Sequence, residues 1–162
     1  MRLRRRRGLT GLVIVLVIGA LAGARLGLPA FPTSDGGVPV VRVVDGDTIR
    51  VQVDGREVAI RYIGIDTPEL GSRTERFGRE ATERNRQLVE GKRVRLEKDV
   101  SEADRFGRLL RYVWVGDRMV NAVLVEEGYA NAVSYPPDVK HSEMLRERER
   151  AAREAKRGRW GG

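Results

Sequence analysis

Between residues 38 and 65 apolar and polar residues alternate, and Asp-Gly pairs at 45–46 and 54–55 interrupt the alternation. A period of two places successive side chains on opposite faces of an extended chain, and Gly takes the positive φ of a tight turn without steric cost. This stretch is therefore expected to form twisted antiparallel strands near residues 39–44, 47–53 and 57–63. Helical patterning follows at 76–90, closed by Gly91, and again at 119–127, closed by Gly128. Residues 93–96 and 109–115 read as two further strands, and about 138–157 as a third, charged helix. The expected class is α+β, mainly β: a small five-stranded barrel capped by three helices.

Charge and composition restrict the chemistry. The 162 residues carry 31 Lys and Arg against 23 Asp and Glu, a net +8. Six arginines and one acid lie in residues 1–36, which leaves 25 basic against 22 acidic residues, or +3, in the remainder. Global charge is thus weak evidence for a polyanionic partner, and the positions of particular charges must carry the argument. There is no cysteine, which removes disulfides, thiolate catalysis and sulfur-ligated zinc. The single histidine, His141, cannot build a His-rich metal site, and its place in the third helix fits solvation or packing.

Arg2, Arg4, Arg5, Arg6 and Arg7 precede an almost unbroken apolar stretch from 9 to 24, followed by Arg25 and Pro29. A basic flank before such a stretch reads as an export signal, with the following domain outside the cytoplasm. Ala22-Gly23-Ala24 resembles a signal-peptidase site, whereas a span continuing to Leu28 can just cross a bilayer. Both outcomes stay open: a cleaved signal, or a single-span anchor on the outer face of the membrane. Residues 1–29 are assigned to this segment, 30–37 to a linker and 38–162 to the folded domain.

Three short runs carry chemistry: Asp45-Gly46-Asp47-Thr48, Arg61 through Glu69, and Asp104-Arg105-Phe106-Gly107-Arg108. Asp45, Asp47 and Asp66 are short carboxylates at strand ends or turns, the oxygen ligands that calcium and magnesium demand. Asp45-Gly46 taken alone reads more readily as a turn. Pro68 stiffens the chain and biases Thr67 toward an extended conformation that can aim its carbonyl at a ligand, although Thr67 can also serve as a helix N-cap. Glu69 has a longer arm, able to reach a water as general base. Arg61 and Arg108 supply planar, permanently charged forks that match phosphate oxygens. Strand alternation could turn Arg61 inward, where it would need an anion; a salt bridge to a neighbouring aspartate is the simpler alternative.

In order and spacing these runs resemble the thermonuclease, or staphylococcal nuclease, family over about residues 38–160, with Met119-Val120-Asn121 and Gly128-Tyr129-Ala130 as lesser matches. The resemblance implies an OB-fold barrel whose face and adjoining loops bind an oligonucleotide. It also implies Ca2+-dependent hydrolysis of DNA and RNA, preferring single strands and leaving 3′-phosphates. Carried onto this chain, Asp47 and Asp66 would ligate calcium through side chains and Thr67 through its carbonyl, with Asp45 close by. Arg61 and Arg108 would bind the phosphate, and Glu69 would take the general-base position. Arg105, Phe106 and Tyr135 are the candidate substrate contacts, and a monomer is expected.

The departures concern substrate handling. Residues 70–76 form a short run with Arg73 and Arg76 as its cations, where the family is often longer and lysine-rich. Phe106 replaces a frequent tyrosine, and Ser134-Tyr135-Pro136-Pro137 stands where the family often shows two tyrosines. The alternative from another class is a catalytically silent OB-fold module that binds nucleic acid; such a module would be expected to lose an arginine, Glu69 or a calcium carboxylate, and all are present.

Overall fold

The computed structural model describes residues 36–68 and 77–161. The proposed export segment, Glu69, Arg73 and Arg76 lie outside the described residues. Among the described residues no helix is long and apolar enough to cross a membrane.

Strands β1 (Val38–Val43), β2 (Thr48–Val53) and β3 (Arg56–Tyr62) form an antiparallel meander. The β2–β3 hairpin closes through two residues, Asp54 at φ 47° and Gly55 at φ 76°, between the paired Val53 and Arg56. Both turn positions are left-handed, the type I′ geometry whose twist suits a two-residue hairpin. After β4 (Ile65–Asp66) and helix α1 (Gly78–Val89) come β5 (Arg93–Glu97) and β6 (Leu109–Val115). β5 pairs antiparallel with both β1 and β6, and β6 pairs parallel with β3, so the strands β1, β2, β3, β6 and β5 close on themselves. The result is the expected five-stranded OB-fold barrel with three helices, a closed sheet that among the described residues leaves no long unpaired edge.

The interior is filled by the alternate residues of the strands, Ile49, Val51 and Val53 from β2 and Ile60 and Tyr62 from β3, all nearly inaccessible to solvent. Short strand β7 (Arg118–Met119) leads into α2 (Val120–Glu126), and β8 (Asn131–Ala132) returns to pair with β4. Asn121 explains part of the Met-Val-Asn run: its side chain donates to the Ile63 carbonyl at 2.8 Å and accepts from the Val113 N–H at 2.9 Å, tying α2 to β6 and to the turn that follows β3.

Helix α3 (Ser142–Glu154) starts four residues later than the expected 138. Asp138 is otherwise engaged, because its Oδ1 accepts the N–H groups of Val100 and Ser101 at 3.0 and 2.7 Å. Its surface is charged as expected, with Glu149 and Arg153 paired at i, i+4. His141 caps the barrel side of this helix, its Nε2 3.0 Å from Glu97 and its ring edge-on to Tyr112 at 4.5 Å, a packing role. The two-residue strands β4, β7 and β8 carry too few residues to show a period.

Candidate active site

The turn between β1 and β2 is built by its own aspartates. The N–H groups of Val44 and Asp45 both donate to the Thr48 carbonyl, at 3.0 and 3.3 Å, and the Asp47 N–H donates to Asp45 Oδ1 at 3.1 Å. Asp47 is thereby aimed under the turn, where it is 5% exposed. Its Oδ2 accepts the Thr67 N–H at 2.8 Å and the Thr67 hydroxyl at 3.0 Å, so a residue twenty positions away fastens onto the turn. Gly46 permits this approach: a Cβ there would lie 2.6 Å from Thr67 Oγ1.

Arg61 stands opposite Thr48 in the β2–β3 register. It does not turn into the barrel, where its neighbours Ile60 and Tyr62 point, but lies on the outer face. One guanidinium nitrogen contacts Asp47 Oδ1, and the other donates to Asp66 Oδ1 at 2.8 Å. The salt-bridge alternative is therefore realised, with two aspartates sharing one arginine. Asp45 sits in the same turn; burial, and then the charge of Asp47, raise its carboxyl above the ordinary range. The second of these effects reports a neighbouring negative charge, the first only loss of water.

One residue of this cluster has no signature in the catalytic runs. Asn85 of α1 is fully buried, accepts the Tyr62 hydroxyl at 2.9 Å and donates through Nδ2 to the Asp45 carbonyl at 2.9 Å. Burial pushes the Tyr62 hydroxyl far above its usual value, which keeps it a neutral donor. The available signal was a polar residue on the buried stripe of α1, between Ala81 and Leu88.

The second half of the site comes from the loop before β6. Asp104 Oδ1 accepts the N–H groups of Phe106 and Arg108 at 2.9 and 3.0 Å, and its Oδ2 accepts Arg108 Nε at 2.7 Å. Burial alone would raise the Asp104 carboxyl, but these bonds outweigh it and hold it below the ordinary range. Arg105 and Arg108 lie over the Phe106 ring, with their guanidinium carbons 4.7 and 5.5 Å from its centroid. The parallel β3–β6 pairing sets Arg61 beside Leu110, two residues from Arg108. The two arginines thus line one cleft of about 450 Å³, together with Asp104, Arg105, Phe106 and Tyr135. Phe106 and Tyr135 are 68% and 67% exposed, so both present ring surface to solvent.

The fold therefore gathers Asp45, Asp47, Asp66 and Thr67 on one side of Arg61, and Arg105, Phe106, Arg108 and Tyr135 on the cleft side. Among the described residues no group of three or more His, Cys, Asp or Glu side chains is arranged to hold a metal ion. Arg61 intervenes between Asp47 and Asp66, and Thr67 occupies Asp47 Oδ2. The donor chemistry nevertheless fits a hard cation: every candidate donor is oxygen, and three carboxylates against one guanidinium leave two negative charges uncompensated. The cleft side is cationic and aromatic, suited to phosphate and base.

Residues 59–162 match the family described as Staphylococcal nuclease homologue. The chain is 35% identical to a thermonuclease of Staphylococcus hyicus, with 93% of this chain and 96% of that protein covered. It is 38% identical to a thermonuclease of Staphylococcus intermedius, covering 75% of this chain and 74% of the relative. It is also 37% identical to Endonuclease YncB of Bacillus subtilis (strain 168), covering 76% of this chain and 61% of that protein.

Proposed function

Because the chain belongs to the staphylococcal nuclease family, we propose that it is a nuclease, and more narrowly a calcium-dependent one that hydrolyses phosphodiester bonds of DNA and RNA, prefers single strands and leaves 3′-phosphates. The observation that carries this reading is the position of Arg61, in contact with the Asp47–Asp66 pair on one side and lining the Arg108 cleft on the other. The names of the relatives, thermonuclease and endonuclease, support the same reaction class.

Asp47 and Asp66 would hold the calcium through their carboxylates and Thr67 through its carbonyl, with Asp45 adding charge at short range. Calcium bound there would neutralise phosphate charge. Arg61 and Arg108 bind the phosphate oxygens and act most strongly as charge develops on them in the transition state. Asp104 orients Arg108, which therefore meets substrate already directed. Glu69 positions or deprotonates the attacking water. Arg105, Phe106 and Tyr135 hold the flanking nucleotide, by charge and by stacking.

The domain so described spans residues 38–162. The basic and apolar segment of residues 1–29 directs it out of the cytoplasm, as a monomer either secreted or tethered by a single span to the outer face of the cell membrane, and residues 30–37 link the two.

The test is cleavage of single-stranded DNA by the full chain, in calcium and then in EGTA, beside Glu69→Gln and Arg108→Ala. Removing one such transition-state contact should cost on the order of 10²–10³ in rate. Binding without cleavage by the folded chain would move the reading to the silent nucleic-acid-binding module.

A further inference from the structure

Beside the candidate site, the outer face of the barrel carries more positive charge than its ion pairs consume. Arg42 of β1 is the direct register partner of Arg50 of β2, and Arg50 faces Ala59, two residues before Arg61 on β3. Cross-strand partners share a face, so Arg42, Arg50 and Arg61 stand together outside while Ile49, Val51 and Ile60 fill the interior. Like charges directly opposite one another are unfavourable in a sheet. Among the described residues these two share a single counter-charge, Glu57 Oε1, at 3.2 Å from Arg42 and 3.5 Å from Arg50. Two guanidiniums against one carboxylate leave one positive charge, on arginine side chains 55% and 37% exposed.

Arg50 lies about 7 Å along β2 from the position facing Arg61, and β1 lies about 5 Å further across. The basic positions therefore form a line leading out of the cleft. We propose that this line is a track for the single strand flanking the scissile phosphate, with Arg50 and then Arg42 contacting its successive phosphates. Glu57 is the resident counter-charge that incoming phosphates compete with. The proposal deepens the nuclease reading and rests on it for the location of the scissile phosphate.

The test uses the full chain and a fluorescein-labelled 20-nucleotide oligothymidylate, with binding followed by anisotropy in EGTA across a salt series and cleavage of the same strand followed in calcium. The Arg42→Gln/Arg50→Gln double variant should bind about tenfold more weakly at low salt, and its slope of log affinity against log salt should shrink by about 0.7 per lost phosphate contact. Glu57→Gln should bind more tightly than wild type, which a merely structural ion-pair role would not produce. Arg118→Gln removes the same charge on β7, at the far edge of the sheet, and should leave affinity within about twofold. Thermal unfolding of each variant confirms that it is folded.

The track is overturned if the double variant binds like Arg118→Gln, if Glu57→Gln weakens binding, or if the wild-type chain fails to bind the strand. Wild-type binding with the expected variant pattern but no cleavage in calcium would overturn the nuclease reading and leave the track standing. Cleavage with unaltered binding by the double variant would do the reverse.

Discussion

The side-chain amide of Asn85 donates to the backbone carbonyl of Asp45 at 2.9 Å, so a helix residue forty positions along the chain fixes the turn that presents Asp45 and Asp47. The same amide accepts the Tyr62 hydroxyl; Asn85 and Tyr62 are buried, and Asp45 is half-buried. Replacing Asn85 with Ala leaves a buried hydroxyl and a carbonyl unpaired, each costing about 1–3 kcal/mol. We expect a stability loss of about 2 kcal/mol in urea unfolding and a weaker calcium affinity by calorimetric titration. A stable variant with unchanged affinity would show that Asn85 does not hold the turn.

Arg61→Gln removes the guanidinium that Asp47 and Asp66 share, whose side chains are 7% and 49% exposed. Leaving the buried Asp47 without its cation should cost about 3 kcal/mol in EGTA. Calcium should recover part of that loss by supplying the missing positive charge, and thermal unfolding in EGTA against calcium reads the difference. Activity should still fall on the order of 10²–10³, because calcium replaces the charge and not the phosphate contact. Equal unfolding temperatures in the two conditions would argue that these carboxylates are not calcium ligands.

Gly46 does not take the left-handed φ that favours glycine, so the cost of Gly46→Ala is steric. The new methyl would lie 2.6 Å from Thr67 Oγ1 and 2.8 Å from Thr67 Cβ. Moving the turn off Thr67 should cost about 1–3 kcal/mol and lower activity more than stability alone explains. Activity assayed well below the unfolding temperature separates the two effects.

Acid should loosen the cleft wall, which Asp138 also lines. Burial tends to raise the Asp138 carboxyl, but hydrogen bonds from Ser101 and the Val100 N–H hold it below the ordinary value of 3.8. Its folded value is thus below its unfolded one, so the stability it supplies is present above about pH 3.8 and is lost as pH falls through the folded value. Asp104 shifts in the same direction and adds to the loss over the same range. Asp138→Asn should flatten the decline of unfolding free energy below pH 3.8, measured by urea titration at stepped pH.

The strands from 38 to 62 and the β2–β3 turn were legible because a period of two and an Asp-Gly pair are local properties, expressed by neighbouring residues. The closing of the barrel was less direct: the β3–β6 pairing joins residues about fifty positions apart, and nothing in either strand alone names its partner. β4 and β8 were illegible, since a two-residue strand exists only through its pairing, here Ile65 with Ala132. The late start of α3 was hidden for the same reason, because the groups that claim Asp138 belong to Val100 and Ser101.

By itself the sequence determined the barrel class and the family resemblance, and it nominated Asp45, Asp47, Arg61, Asp66, Thr67, Glu69, Arg105, Phe106, Arg108 and Tyr135 as candidates, because residue type and spacing already state which donors are hard oxygens and which charges are permanent. The tertiary structure decided that Arg61 faces outward and bridges two aspartates, that Asn85 anchors the turn, and that Arg42 and Arg50 align with Arg61. Those facts depend on which strands and helices meet, and long-range contacts select a partner only when the chain has buried its core.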